Sequence, residues 1–528
     1  MQRAHLPEPV AARLARLAPD QRAAATAPPG PVLCVAPAGS GKTTTVVARL
    51  AWRVATGAEA ATICALTFNR AAAEELQQRA DAALAELGHP DGTVRVRTFH
   101  ALGREILADA GLDVTRVVDR PAVIEELAGG PLPAAQLRHL DDAFSRLKLD
   151  PERGPPRTDG ATHAAFAAYQ QRLRREGAID LDDLVALAAP RLEGDAPLLA
   201  RWRARTAVLF VDEAQDLDKS QLDLALLLAG PRRDLFAVGD DDQTIYAWRL
   251  ADVRRVLGLA ARLPGLRRVD LQTNHRCAPE VVRRAARLVE HNEERFDKRI
   301  LASPRNSGSV YLLPDPGDEV TRARLLLERW ATEPSGERHA VLARTNRELV
   351  PFAALALELG MPYRVQEDGL RWPDGSMRAA LAAADTRLPL LVAVQRAANE
   401  ARLAPEATAD LLAWAAGSRD LEELRATIEA RIEAQADLRR DDAILTLATA
   451  HGTKGLEWDH VACIGHDEGA FPSGRALREA EDPKRVLEEE RRLAYVAWTR
   501  ARRTLTIVYD PGAPSTFVLE AFDPAELP

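Results

Sequence analysis

The stretch PVLCVAPAGSGKTTTVVARLAWRVA, residues 31–55, constrains this chain more than any other segment. Its first residues are apolar and read as a buried strand, a glycine-bearing loop follows, and the remainder has helical periodicity. A strand that passes through such a loop into a helix turns backbone N–H groups inward at the helix N-terminus, which is a ready-made anion site. Within APAGSGKTT, 36–44, the glycines allow the tight turn, Lys42 can neutralise phosphate charge and the Thr43 hydroxyl can ligate magnesium. Ala38, Gly39, Ser40, Gly41, Lys42, Thr43 and Thr44 are therefore the expected nucleotide-contacting run. The general pattern begins with glycine where this chain has Ala36, so the strand-loop-helix setting decides against a chance Gly-Ser loop.

A phosphate loop needs acids beside it, and VLFVDEAQD, 208–216, supplies them at the end of another apolar run. Asp212 can hold magnesium, with Thr43 as its partner, and Glu213 can polarise an attacking water. A third acidic strand end is VGDDDQTIYAWR, 238–249. Its three aspartates and Gln243 suit a magnesium nucleotide, whereas Tyr246, Trp248 and Arg249 offer flat faces and a guanidinium to nucleic-acid bases. The competing reading packs Tyr246 and Trp248 into the core.

Apolar runs alternate with helical stretches along the whole chain, the pattern of parallel sheets covered on both faces. The expected strands are 31–36, 62–67, 93–98, 207–212 and 234–239, then a second set at 268–273, 339–345, 363–365, 444–449, 460–465 and 505–510. Two α/β units in tandem follow, residues 1–100 with 181–265 and residues 266–365 with 441–528, each interrupted by a mainly helical insertion, 101–180 and 366–440. In the second insertion Leu421, Leu424, Ile428 and Ile432 recur at helical spacing behind an Asp420/Glu423 capping box.

Composition narrows the partners. With 70 basic against 78 acidic residues the formal net charge is −8, so nucleic-acid binding has to come from a local groove rather than a global field. The four cysteines, Cys34, Cys64, Cys277 and Cys463, are far apart, which argues against structural zinc or a disulfide framework and for a reducing compartment. No secretory leader or uncharged apolar run of about 18 residues is evident, so a cytoplasmic protein without a membrane partner is expected.

Eight blocks occur in a fixed order: LAPDQR, ALTFNRAAAEEL, RTFHAL, VDEAQD, VGDDDQTIYAWR, LQTNHR, TAHGTKGLEW and EERRLAYVAWTRA. Together they resemble the UvrD/Rep/PcrA-like family of superfamily 1 DNA helicases, over about residues 15–510. The resemblance implies two RecA-like motor domains that use ATP and Mg2+ to move 3′ to 5′ on single-stranded DNA and to open duplex at single-strand/double-strand junctions. It implies that Gln21 reads adenine, that Gln243 senses the γ-phosphate, that Glu457 lies near the sugar, and that Arg276 and Arg500 act on the transferring phosphate. It further implies DNA contacts from Phe68, Thr98, His100, Tyr246, Trp248, Arg249, Arg344, Asn346 and His451, although Phe68 and His100 could simply pack at strand ends.

Two departures matter. Where the family places an arginine and a tyrosine around adenine this chain has Thr44 and His275, so looser base selectivity is expected, with recognition leaning on Gln21. The insertion 366–440 is also short for the family's mobile 2B-like domain, which raises dependence on a protein partner such as a nuclease, repair or defence factor. The alternative function is a DNA-stimulated ATPase subunit of a larger defence or nuclease complex, in which unwinding is incidental.

Overall fold

The computed structural model describes residues 6–152, 160–231, 233–314, 319–332, 336–366, 375–403 and 405–527. The chain forms two compact units, residues 1–275 with 292–301 and residues 276–291 with 302–528.

The first unit is built on a six-stranded parallel sheet, β1 (Val32–Val35), β2 (Ile63–Thr67), β3 (Arg95–Thr98), β4 (Val208–Val211), β5 (Leu235–Gly239) and β6 (Arg267–Asp270), in the order β3-β2-β4-β5-β1-β6. Every residue of β1, β2, β4 and β5 is buried, which is why these strands read as unbroken apolar runs rather than alternating ones. One face packs Val46, Leu50, Leu76 and Leu84; the other packs Phe99, Ile106, Leu198, Trp202 and Leu224. The helical insertion contributes Arg120–Ala128, Ala134–Leu149 and Gly160–Glu176, joined by Val123, Ile124, Phe144, Tyr169 and Leu173. A buried polar knot ties it down: Arg120 pairs with Asp180 and Asp182, Lys148 with Asp180 and Asp183, and the Tyr169 hydroxyl donates to Asp180.

The second unit repeats the architecture with β7 (Ser309–Pro314), β8 (His339–Ala343), β9 (Tyr363–Val365), β10 (Leu445–Thr449), β11 (Trp458–Cys463) and β12 (Ala501–Tyr509), all parallel, in the order β9-β10-β8-β11-β12-β7. Its insertion comprises helices Gly375–Ala382, Leu390–Glu400, Pro405–Ala416 and Leu421–Leu438 around Met377, Leu381, Val394, Leu411, Leu424 and Ile428. Residues 367–374 and 404 of the expected 366–440 insertion lie outside the described residues. Asp420 caps the last helix by accepting from Glu423 N at 2.9 Å, while the Glu423 carboxylate reaches back to Arg419 N rather than to the cap residue.

Two expectations are corrected here. The run 268–273 was expected to open the second unit, but Arg267–Asp270 is the sixth strand of the first sheet, with Val35 opposite Asp270. Ser309–Pro314, absent from the expected strands, is instead an edge strand beside β12. Both lie at sheet edges, where half-exposed residues blur the apolar signal.

Candidate nucleotide site and nucleic-acid interface

Helix Lys42–Ala55 begins directly after Gly41, whose φ of 82° only glycine adopts freely; Gly39 has φ 67°. Gly41 also makes room for a neighbour, since a Cβ there would stand 2.5 Å from Gln21 Nε2. That amide donates to the Ser40 carbonyl at 2.8 Å and its Oε1 accepts from Ala18 N at 3.0 Å, so Gln21 latches the loop from behind. The backbone N–H of His275 donates to the Gly39 carbonyl at 2.8 Å and latches it from another side. The side chains of Thr44 and His275 are exposed.

The site residues fit a magnesium nucleotide on two observations. Ser40 Oγ is buried without a hydrogen-bond partner in the protein, a group that a phosphate oxygen would satisfy. Lys42 Nζ stands 3.6 Å from Glu213 Oε2, which places a cation, able to neutralise phosphate, beside the carboxylate at the end of β4. Glu213 itself has φ 51°, a left-handed conformation that costs a non-glycine residue free energy and is concentrated at functional positions. Asp212 is half-buried and accepts from Glu213 N at 3.0 Å. Among the described residues no cluster of three or more His, Cys, Asp or Glu is arranged to hold a metal by itself.

Asp240, Asp241 and Asp242 do not form the magnesium-facing surface expected of them. All three are buried, and Lys298, fully buried among them, pairs with Asp240 at 2.6 Å, with Asp242 at 3.0 Å and with Asp241. Arg295 makes a two-pronged contact with Asp242 at 3.1 and 2.9 Å, and Phe296 N donates to Asp241 at 2.7 Å. Burial alone would depress the Lys298 ammonium, but the three carboxylates outweigh it and hold it charged. Lys298 and Arg295 therefore already offset two of the three carboxylate charges.

Past this knot the loop emerges. Tyr246 stacks on Phe68 with ring centres 5.1 Å apart and planes 7° from parallel, and meets Trp248 edge-on at 6.1 Å. The Arg249 guanidinium lies 4.7 Å from the Trp248 ring centre and 5.9 Å from that of Phe68. Trp248 is 56 % exposed, so it is not core packing. Thr98 caps helix Phe99–Asp109 by accepting from Ala101 N, and burial lowers the pKa of the neighbouring His100.

In the second unit Arg276 Nε donates to Glu457 at 2.6 Å. Arg500 is 1 % exposed and donates to the carbonyls of Val496 and Leu456, at 2.9 and 3.2 Å. Arg344 forks onto Glu490 at 2.7–3.0 Å. Burial, reinforced by Arg344, pushes His451 down to about 4, so it is neutral at physiological pH. Asn346 is the first residue of helix Asn346–Glu358. Lys298, Arg295, Gln215 and Glu490 were not anticipated. Gln215 sits inside the VDEAQD block and could have been read there, while Lys298 is hidden in the charge run EERFDK, which has the look of a solvated face.

Fold and loops together define a P-loop NTPase made of two RecA-like parallel-sheet units. Residues 17–264 match the model of the UvrD/REP helicase N-terminal domain, and residues 407–511 that of the UvrD-like helicase C-terminal domain. The chain is 30% identical to the ATP-dependent DNA helicase UvrD2 of Mycobacterium tuberculosis, over 94% of this chain and 78% of the relative. It is 27% identical to DNA helicase II of Escherichia coli, over 93% and 84%, and 28% identical to the ATP-dependent DNA helicase Rep of that organism, over 66% and 55%. The chain belongs to the UvrD/Rep-like family of ATP-dependent DNA helicases. No described helix is long and apolar enough to cross a membrane.

Proposed function

We propose that this chain is an ATP-driven motor that moves 3′ to 5′ along single-stranded DNA and opens duplex at single-strand/double-strand junctions. One observation carries the reading. Within ten residues, 240–249, the first unit passes from a buried Gln243, which donates to Asp240 at the end of β5, to an exposed aromatic platform. A loop of that kind can pass the state of a γ-phosphate to a strand of bases, and each base-aromatic stack contributes roughly 1–3 kcal/mol whatever the sequence.

In this reading Lys42 and the P-loop amides hold the phosphates, while Thr43 and Asp212 would hold magnesium, which would supply charge neutralisation at the phosphates. Glu213 orients the attacking water. Arg276 and Arg500 are assigned to the transferring phosphate by resemblance, and Glu457 to the sugar. Since Arg276 is engaged with Glu457, this assignment requires that pair to open or to bind as a unit. Phe68, Tyr246, Trp248 and Arg249 stack bases; Thr98, His100, Arg344, Asn346 and His451 complete the path. Action in the cytoplasm in repair, replication or recombination, with a protein partner, belongs to the same proposal.

The test is the ATPase rate with single-stranded DNA, single-stranded RNA or blunt duplex, alongside Trp248→Ala. Stimulation by single-stranded DNA that is weakened in the variant is expected. Equal rates with and without nucleic acid would overturn the reading.

A further inference from the structure

Building on that reading, we propose that Gln215 is a positioning residue that couples occupancy of the DNA platform to the carboxylate that activates water. It is 1 % exposed, and both ends of its amide are hydrogen-bonded. Nε2 donates to Glu213 Oε2 at 2.6 Å and to Asp216 Oδ2 at 3.3 Å, and Oε1 accepts from Asp240 N at 3.0 Å. Two carboxylates on one side and a backbone N–H on the other fix which end is which. Asp240 in turn accepts from Gln243 Nε2 at 2.7 Å and from Lys298.

A continuous hydrogen-bonded path therefore runs from Glu213 through Gln215 and Asp240 to Gln243, three residues before Tyr246. Because Asp240 is clamped by a buried lysine, movement of the platform loop is transmitted through the amide rather than absorbed by solvent. The close approach is built into the backbone. A Cβ on Gly239 would stand 2.3 Å from Gln215 Oε1 and 3.2 Å from Ala214 N, so only glycine at the end of β5 leaves the amide its place.

Two variants of the full chain test this. The readout is the ratio of ATPase turnover with saturating single-stranded DNA to turnover without it, together with the DNA Kd and the KM for ATP. Gln215→Leu removes the bridge. Gly239→Ala keeps every polar group but evicts the Gln215 amide. Both should lower the ratio by about 3- to 30-fold, the range expected for a residue within a coupling network, with DNA Kd and KM within about twofold of the parent. A folded variant that keeps the parental ratio overturns the inference. So does an equal fall in both turnovers, which would make Gln215 a plain support for Glu213. Should Gln215→Leu fail to fold, Gly239→Ala decides on the same criteria. A parent chain without stimulation defeats the motor reading and this inference with it, whereas a stimulated parent with unaffected variants defeats the inference alone.

Discussion

Strands β4 and β5 are hydrogen-bonded neighbours in the first sheet, and both end in carboxylates, Asp212-Glu213 on one and Asp240-Asp241-Asp242 on the other. At the end of β4 the carboxylates are half-buried, Glu213 is held in a left-handed conformation, and the P-loop lysine stands 3.6 Å from Glu213. At the end of β5 they are buried around an ammonium and a guanidinium drawn from residues 295–298. The same residue type at the same station on adjacent strands thus stands beside the P-loop lysine in one place, where we propose that it serves chemistry, and is enclosed by cations in the other. What separates them is enclosure: the β5 acids are buried against two close cations, whereas the β4 acids stay half-buried with one lysine at 3.6 Å.

Removing that countercharge should give the largest effect. Lys298→Met leaves three buried carboxylates with Arg295 alone, and breaking a buried pair costs about 3–5 kcal/mol. A pronounced fall in the thermal midpoint of the first unit is expected, and an unchanged midpoint would place the β5 acids in the same class as those of β4. Glu213→Gln is the mirror experiment. It should lower kcat by about 10²- to 10⁴-fold with little change in melting, as expected for loss of a general base. A lowered midpoint with residual turnover would instead make Glu213 a structural acid.

One step further along the β5 loop, Trp248→Ala should weaken single-stranded DNA binding by roughly 1–3 kcal/mol while leaving both strand ends intact, measured by fluorescence anisotropy. The smallest effect concerns pH. Burial alone would raise Asp242, but Lys298 and Arg295 outweigh it and hold its carboxyl below the ordinary value of 3.8. A depressed carboxylate contributes stability that is present above its ordinary value and is lost as pH falls through the lower folded value. Melting followed from pH 6 downward should therefore steepen below 3.8, and Asp242→Asn should flatten that limb.

These differences mark what was legible in the sequence. The phosphate loop could be read because its geometry is local: a strand, Gly39 and Gly41 at positive φ, then Lys42 opening a helix. The buried strands could be read because unbroken apolar runs such as Val208–Val211 have few other uses. Arg267–Asp270 was assigned to the wrong sheet because a periodicity identifies a strand but not its neighbour, and pairing with β1 brings together residues more than 230 positions apart, as the register of Val32 with Arg267 requires. The role of Lys298 was hidden for the same reason, since its partners lie 57 and 58 residues away. Gln21 was read through its likeness to an adenine reader, and its hold on the Ser40 carbonyl became visible only in three dimensions.

The central claim is that hydrolysis in the first unit moves a strand. Its most direct test is displacement of a short duplex bearing a 3′ single-stranded overhang, beside the same duplex with a 5′ overhang and with Glu213→Gln as control. The account predicts ATP-dependent displacement from the 3′ overhang only, abolished in the variant. ATPase stimulated by single-stranded DNA with neither duplex displaced would contradict it.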